Sequence, residues 1–200
     1  EAMDADDAVD ALETVSPELR SALMEKLDPE SQHDIRLICS YQPDEIGSAM
    51  STNFVSISRH LSVKQAMRAL VAQAEENDNI STLFVNDDDG SFYGAIDLKD
   101  LIVARENVPL DSLISYAYPY LLDHEKISDS IEKIKDYAED SLPVLNRDKK
   151  IIGIITTAIF SLVSLFLAIT GNIMASICFL PFVALGILCL VLPLLLKSDL

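Results

Sequence analysis

The alternation of polar and apolar positions along this chain stops abruptly near its end. Up to Thr157 hydrophobic residues recur at short periods between charges, whereas Ala158 to Leu196 is a run of thirty-nine positions without one charged side chain. A membrane-spanning helix takes about 20 apolar residues, so this tail predicts a transmembrane helix or a hairpin of two. Ahead of it, residues 1–40 read as short helices arranged as helical hairpins. Ser16-Pro17-Glu18 and Asp28-Pro29-Glu30 each place an N-cap oxygen before a proline at the first helical position and an early carboxylate. From Ser62, the spacing Val63, Ala66, Met67, Leu70, Val71 and Ala74 makes one apolar stripe at helical period, opened by a Ser62/Gln65 capping box. A strand is predicted at 82–85, a turn at Asp87-Asp88-Asp89-Gly90, and a return strand at 92–96.

The same order recurs downstream. Ile127, Ile131, Ile134 and Ala138 mark a helix, residues 142–145 a strand, Asn146-Arg147-Asp148-Lys149 a turn, and residues 151–155 a further strand. Gly94 and Gly153 are equivalent points, as are Val85 and Val144, both pairs 59 residues apart. Such an internal repeat means that neither copy covers its own sheet and that the two pack as one pseudo-symmetric body.

Composition narrows the function. The net charge of −17 lies wholly ahead of the tail, since Lys197 and Asp199 cancel, and the isoelectric point is near 4.3. Nucleic-acid phosphates demand a basic surface, so no nucleic-acid partner is expected; cations, basic proteins and, for the tail, membrane lipid are. Cys39 alone precedes the tail, too few thiols to staple a secreted scaffold, which favours a reducing cytosolic face. The opening Glu-Ala-Met-Asp-Ala-Asp-Asp has neither a basic stretch nor an apolar core, unlike a secretory signal, and a start at Glu1 points to a piece of a longer chain.

Most candidate chemistry fails on register. With Gly90 as the sixth position of a calcium loop, the first and last ligands would be Val85 and Ile96, neither of which coordinates calcium; the acidic run reads as a solvated hairpin turn. His33, His60 and His124 lack the i, i+4 spacing or cysteine partners of a zinc site and read as ordinary surface or partly buried histidines. No nucleophile elbow or phosphate-binding loop precedes the tail, so nothing points to an enzyme. The crowding of Asp4, Asp6, Asp7, Asp10 and Glu13 is different. Asp6 and Asp10 share a helix face, where like charges are destabilising. That face is either simply solvated or captures a divalent cation through hard oxygen ligands.

The repeat resembles a tandem pair of CBS domains. The stretch Tyr41-Gln-Pro-Asp-Glu-Ile-Gly-Ser-Ala-Met50 is similar to the entry to that pair in the MgtE family of magnesium channels, as are Gly94-Ala-Ile-Asp-Leu-Lys-Asp-Leu-Ile-Val-Ala104, Leu142-Pro-Val and Gly153-Ile-Ile-Thr156. Asp6-Asp7-Ala8-Val9-Asp10-Ala11-Leu12 resembles the end of the acidic N domain that precedes CBS in that family. The resemblance implies an α+β fold: the end of a helical N domain (1–40), a first CBS domain (41–104), a second (105–157), each a βαββα unit related by a pseudo-twofold axis, and a partial membrane domain (158–196). It further implies a homodimer joined through the CBS domains, multi-pass in the inner (plasma) membrane at full length, with residues 1–157 cytosolic. These residues would sense Mg2+ and gate a pore, with Asp6, Asp10 and Asp129 as metal ligands. The family's acidic connecting helix is missing, because Thr156-Thr157 runs straight into Ala158.

Two alternatives stay open. Many CBS pairs hold adenine nucleotides through Gly-x-x-Ser/Thr-x-x-Asp, and each copy here keeps half of that pattern: Asp100 with Asp97 in the hydroxyl position, and Thr156 with Ile159 in the ribose position. ATP binding would then involve Thr82, Lys99, Asp100 and Thr156. The other alternative is a membrane-anchored CBS module that dimerises without sensing an ion.

Overall fold

The computed structural model describes residues 4–75, 77–134 and 139–156. Three short helices come first: α1 (Ala5–Glu13), α2 (Pro17–Met24) and α3 (Pro29–Ile38). Their starts are set as the sequence predicts. The Ser16 hydroxyl accepts from the Leu19 amide and the Asp28 carboxylate from the Glu30 and Ser31 amides, each satisfying backbone donors that a helix start leaves unpaired. Helix α1 packs on α3, burying Val9 and Leu12 with Ile35 and Ile38, and Arg20 Nε closes the end of α1 by donating to the Leu12 carbonyl at 2.9 Å.

The first repeat contains β1 (Val55–Ser58), α4 (Val63–Gln73), β2 (Thr82–Asn86), β3 (Phe92–Asp97) and α5 (Leu98–Val103). Strands β1 and β2 are parallel, and α4 carries the chain across because parallel neighbours cannot be joined by a tight turn. Strand β3 returns antiparallel to β2, giving the order β1-β2-β3. The second repeat has β4 (Leu121–Leu122), α6 (Ile127–Ile134), β5 (Ser141–Leu145) and β6 (Ile151–Thr156), in the order β4-β5-β6 with β4 parallel to β5. The expected α+β pair of repeats is therefore present. The periodic pattern places the strands of both hairpins within a residue of their observed ends, but does not locate β1, β4 or α5.

Strand β2 is buried on both faces. Leu83 and Val85 join Val55, Ile57 and Ile96 beneath Val63, Ala66 and Leu70 of α4. Phe84 points the other way, among Ala95, Ile154 of the second repeat, and the rings of Phe54, Phe92 and Tyr118 at 6.1–6.3 Å in edge-to-face contact. One strand thus serves the core of its own repeat and the seam between repeats.

Each entry segment crosses the other repeat. Ser51, ahead of the first repeat, exchanges two backbone hydrogen bonds with Ile154 of β6 (2.9 and 2.8 Å), and Ser115, ahead of the second, exchanges two with Ala95 of β3 (3.2 and 2.8 Å). These crossings explain the glycines at equivalent points of the repeat. A Cβ on Gly94 would lie 2.6 Å from Ile114 Cγ2 and 2.7 Å from the Ser115 carbonyl oxygen; on Gly153 it would lie 2.7 Å from Met50 Sδ and 2.9 Å from the Ser51 carbonyl oxygen. Among the described residues no helix is long and apolar enough to cross a membrane. The predicted membrane segment 158–196, like Ala138, lies outside the described residues.

Gly94→Ala and Gly153→Ala should each lower stability by about 1–3 kcal/mol through overpacking. Urea denaturation measures this, with the exposed Val71→Ala, expected within about 0.5 kcal/mol of the parent, as the comparison. A Gly94→Ala protein as stable as Val71→Ala would show that the crossing is loosely packed.

Candidate functional site

The acidic start of α1 is seated on the entry to the first repeat. Asp4 is the N-cap residue and Asp6 and Asp7 lie in the first turn, where the positive end of the helix dipole favours carboxylates. Ser51, itself buried, donates its hydroxyl to Asp6 Oδ1 at 3.3 Å, and Asn53 Nδ2 donates to Asp4 Oδ2 at 3.0 Å. The Asn53 carbonyl oxygen also accepts from the backbone amides of Asp78 and Asn79, so this side chain ties α1 to the loop after α4. Sequence reasoning missed Ser51, Asn53 and Asp4 as partners, since their only signal is a polar run in an entry segment.

Half-burial beneath the entry segment pushes the Asp6 carboxyl above the usual carboxylate value. Its own backbone hydrogen bond opposes this, the Asp7 and Asp4 charges add to it, and the Ser51 hydroxyl opposes it again. A carboxylate held where its charge is disfavoured, in a group of like charges, is relieved by a cation. Asp10 lies exposed further along α1, and Asp129 lies exposed in the first turn of α6. Among the described residues the three predicted metal ligands do not converge into one group.

The entry segment is also clamped to the second repeat. Tyr41 donates its hydroxyl to the buried Asp123 at 3.2 Å and packs edge-on against His124, with ring centroids 5.3 Å apart. Burial first, and then the Asp123 charge, push the Tyr41 phenol up to about 12. Glu45 lies 3.1 Å from His124 Nδ1 and Asp44 accepts from Lys126 at 2.9 Å, which holds Asp44 below the usual carboxylate value. Backbone bonds from Ile46 to Glu125, Gly47 to Asp123 and Ile127 to Asp44 complete the clamp. Asp129 is two residues beyond Ile127, on the element this clamp positions. A cavity of about 280 Å³ beside it is lined by Leu122, Asp123, His124, Glu125 and Arg147.

The nucleotide candidates fall in separate settings. Thr82 is buried at the start of β2, opposite Asp97 in the ladder. Lys99 and Asp100 are exposed in the first turn of α5, and Thr156, half-buried, ends β6. Asp97 occupies the hydroxyl position of the nucleotide pattern because it caps α5, its carboxylate accepting from the Lys99 amide at 2.7 Å.

Two known domain families match the chain. The CBS domain matches residues 45–107 and 111–158, and the MgtE intracellular N domain matches residues 1–44. The chain belongs to the CBS-domain family, with an MgtE N domain ahead of the pair. It is homologous to the MgtE magnesium transporters: that of Thermus thermophilus is 27% identical over 154 residues, covering 76% of this chain and 34% of the relative, and that of Bacillus subtilis 27% over 157 residues, covering 77% and 34%. This CBS chain thus spans about a third of the length of these curated relatives. Among solved structures, it is similar to the soluble part of a magnesium transporter (27% identity, TM-score 0.76, 80% of this chain and 63% of that one). It is also similar to the cytosolic domain of the Mg2+ channel MgtE in complex with ATP (25% identity, TM-score 0.75, 80% and 66%). In these terms α1 is the first helix of the matched MgtE N-domain stretch, and Ser51 and Asn53 belong to the CBS pair, so the Asp4 and Asp6 contacts join the two.

The raised Asp6 value fixes the sign of a pH effect. The folded state keeps this proton to higher pH than the unfolded chain, so stability falls as pH rises from the ordinary carboxylate value through the raised one, and stays lower above it. Asp6→Asn should therefore melt at a higher temperature than the parent at pH 7 without divalent cations, with the difference closing in acid. Thermal melts across pH 3–8 check this; a lower melting temperature at pH 7 would mean that the Asp6 charge stabilises the fold.

Proposed function

We propose that the chain is the cytosolic sensing part of an MgtE-like magnesium channel. Its N domain and CBS pair would read intracellular Mg2+ and gate a pore formed by the longer protein. The observation that carries this reading is the Asp6 carboxylate, held half-buried against Ser51 at the junction of the two domains and crowded by Asp4 and Asp7. Carboxylates are the hard oxygen ligands Mg2+ takes, commonly one or two at a time with several waters retained. Asp6 and Asp10 would hold an ion on the N-domain side, and Asp129, which does not converge with them, would serve a separate site on the CBS side. Without the ion, repulsion among the carboxylates loosens the N domain from the CBS pair; with it, the compact arrangement is favoured, by no more than the difference in Mg2+ affinity between the two arrangements.

The division into residues 1–40, 41–104, 105–157 and 158–196 belongs to this reading. The charge-free run after Thr157 supports a membrane segment in the cell inner membrane, with residues 1–157 in the cytosol. A homodimer through the CBS domains would place two such sensors beside one pore.

A second reading, adenine-nucleotide sensing by the CBS pair, is favoured by the similarity to an MgtE cytosolic domain in complex with ATP. Against it stands Asp97, whose exposed charge would face a phosphate, with Lys99 two residues on to offset part of it.

Limited proteolysis of the detergent-solubilised chain separates the readings. Millimolar Mg2+ should protect residues 1–54 from cleavage, and Asp6→Asn/Asp10→Asn should need at least about tenfold more Mg2+, equivalent to losing about 1.4 kcal/mol of binding. Protection by ATP and not by Mg2+ would transfer the function to the nucleotide reading. Equal protection of parent and variant would remove Asp6 and Asp10 from the site.

A further inference from the structure

The first repeat carries a second cluster of ligand-type side chains, away from α1. Strands β1 and β2 run parallel with Ser58 opposite Asn86, so the residues that follow continue in step: Arg59 meets Asp87 and His60 meets Asp88. Both meetings are made. Arg59 Nη1 lies 3.2 Å from Asp87 Oδ2, and His60 Nε2 lies 2.9 Å from Asp88 Oδ1. A His60 ring nitrogen and one carboxylate oxygen each from Asp87 and Asp88 all fall within 4.8 Å of one another.

We propose that His60, Asp87 and Asp88 form a surface site for a borderline divalent transition metal, with Zn2+ as the type ion. An imidazole nitrogen suits zinc and its neighbours in the transition series, while Mg2+ prefers oxygen alone. Two carboxylates and one histidine make three protein ligands, and water completes a four-coordinate zinc. The metal would replace the direct contact between His60 Nε2 and Asp88 Oδ1.

The supporting contacts orient the ligands. Asp87 is held from both sides, by Arg59 on Oδ2 and by the Asp88 amide on Oδ1 at 2.7 Å. Arg59 is itself fixed over the Tyr93 ring, 4.1 Å from its centroid, and its amide donates to the Asn86 carbonyl at 3.0 Å, which ties the His60 loop to the hairpin. Such outer partners set the orientation of metal-binding side chains. The Arg59 charge repels the incoming cation, yet the site with neutral His60 keeps one net negative charge. The hairpin turn that fails as a calcium loop along the chain thus gains its histidine from the turn that follows the neighbouring strand β1. This site is independent of the magnesium reading, and either stands without the other.

The test uses Co2+ as a spectroscopic probe on the detergent-solubilised chain at pH 7.5, with Zn2+ and Mg2+ as competitors. The parent should show saturable Co2+ visible absorption that stoichiometric Zn2+ displaces and about a hundredfold excess of Mg2+ leaves in place. His60→Ala and Asp88→Asn should each weaken Co2+ binding about tenfold or more, with unchanged far-ultraviolet circular dichroism. Absence of saturable absorption, equal binding by a folded His60→Ala protein, or displacement by Mg2+ at that excess would each overturn the proposal.

Discussion

The structure depends on two places where one backbone crosses another without room for a side chain. At Gly94 the segment entering the second repeat lies against β3, and at Gly153 the segment entering the first lies against β6. Each crossing exchanges a pair of backbone hydrogen bonds, and the groups of the buried Ala95, Ser51 and Ile154 would otherwise be left unpaired. The interlock means that neither repeat completes itself. It also fixes the backbone from Met50 to Asn53, and the Ser51 and Asn53 side chains that hold α1 project from that stretch. Phe84 fills the seam between repeats, so the crossings and the apolar contact reinforce one another.

From that fixed backbone the chemistry at α1 follows. Ser51 brings the N domain close enough to half-bury Asp6, and that burial, with the Asp7 and Asp4 charges adding to it, raises its carboxyl above the usual value. The arrangement is held by hydrogen bonds and opposed by charge. A counter-ion at this junction would offset the repulsion among the carboxylates and leave the bonds in place. On the other side, Tyr41, Asp44 and Glu45 attach the same linker to Asp123, His124 and Lys126. The linker therefore couples the N domain to both repeats, through β1 on one side and the loop before α6 on the other.

What could be read from the sequence was what is encoded locally. The caps of α2 and α3, the capping box of α4 and the two hairpins each depend on residues within a few positions, and the 59-residue repeat by itself pairs the two glycines. Strand β1 carries only four residues and β4 two, too short for alternation to stand out from the adjoining loops. The partners of Asp6 and Asp4 lie 45 and 49 residues away, and no local pattern carries that distance. The pairing of His60 with Asp88 was hidden for the same reason, since it follows from the parallel register of β1 and β2. Asp97 shows the opposite effect: it stands in the hydroxyl position of the nucleotide pattern, and the structure gives it a local task as the cap of α5.

The central claim is that Mg2+ acts at the junction between α1 and the CBS entry segment. Hydrogen–deuterium exchange of the detergent-solubilised chain, with and without millimolar Mg2+, tests it most directly. Slower exchange at the amides of residues 5–13 and 50–53, with β2 and β3 unchanged, is the predicted result. Exchange in α1 that is identical with and without Mg2+ would contradict it.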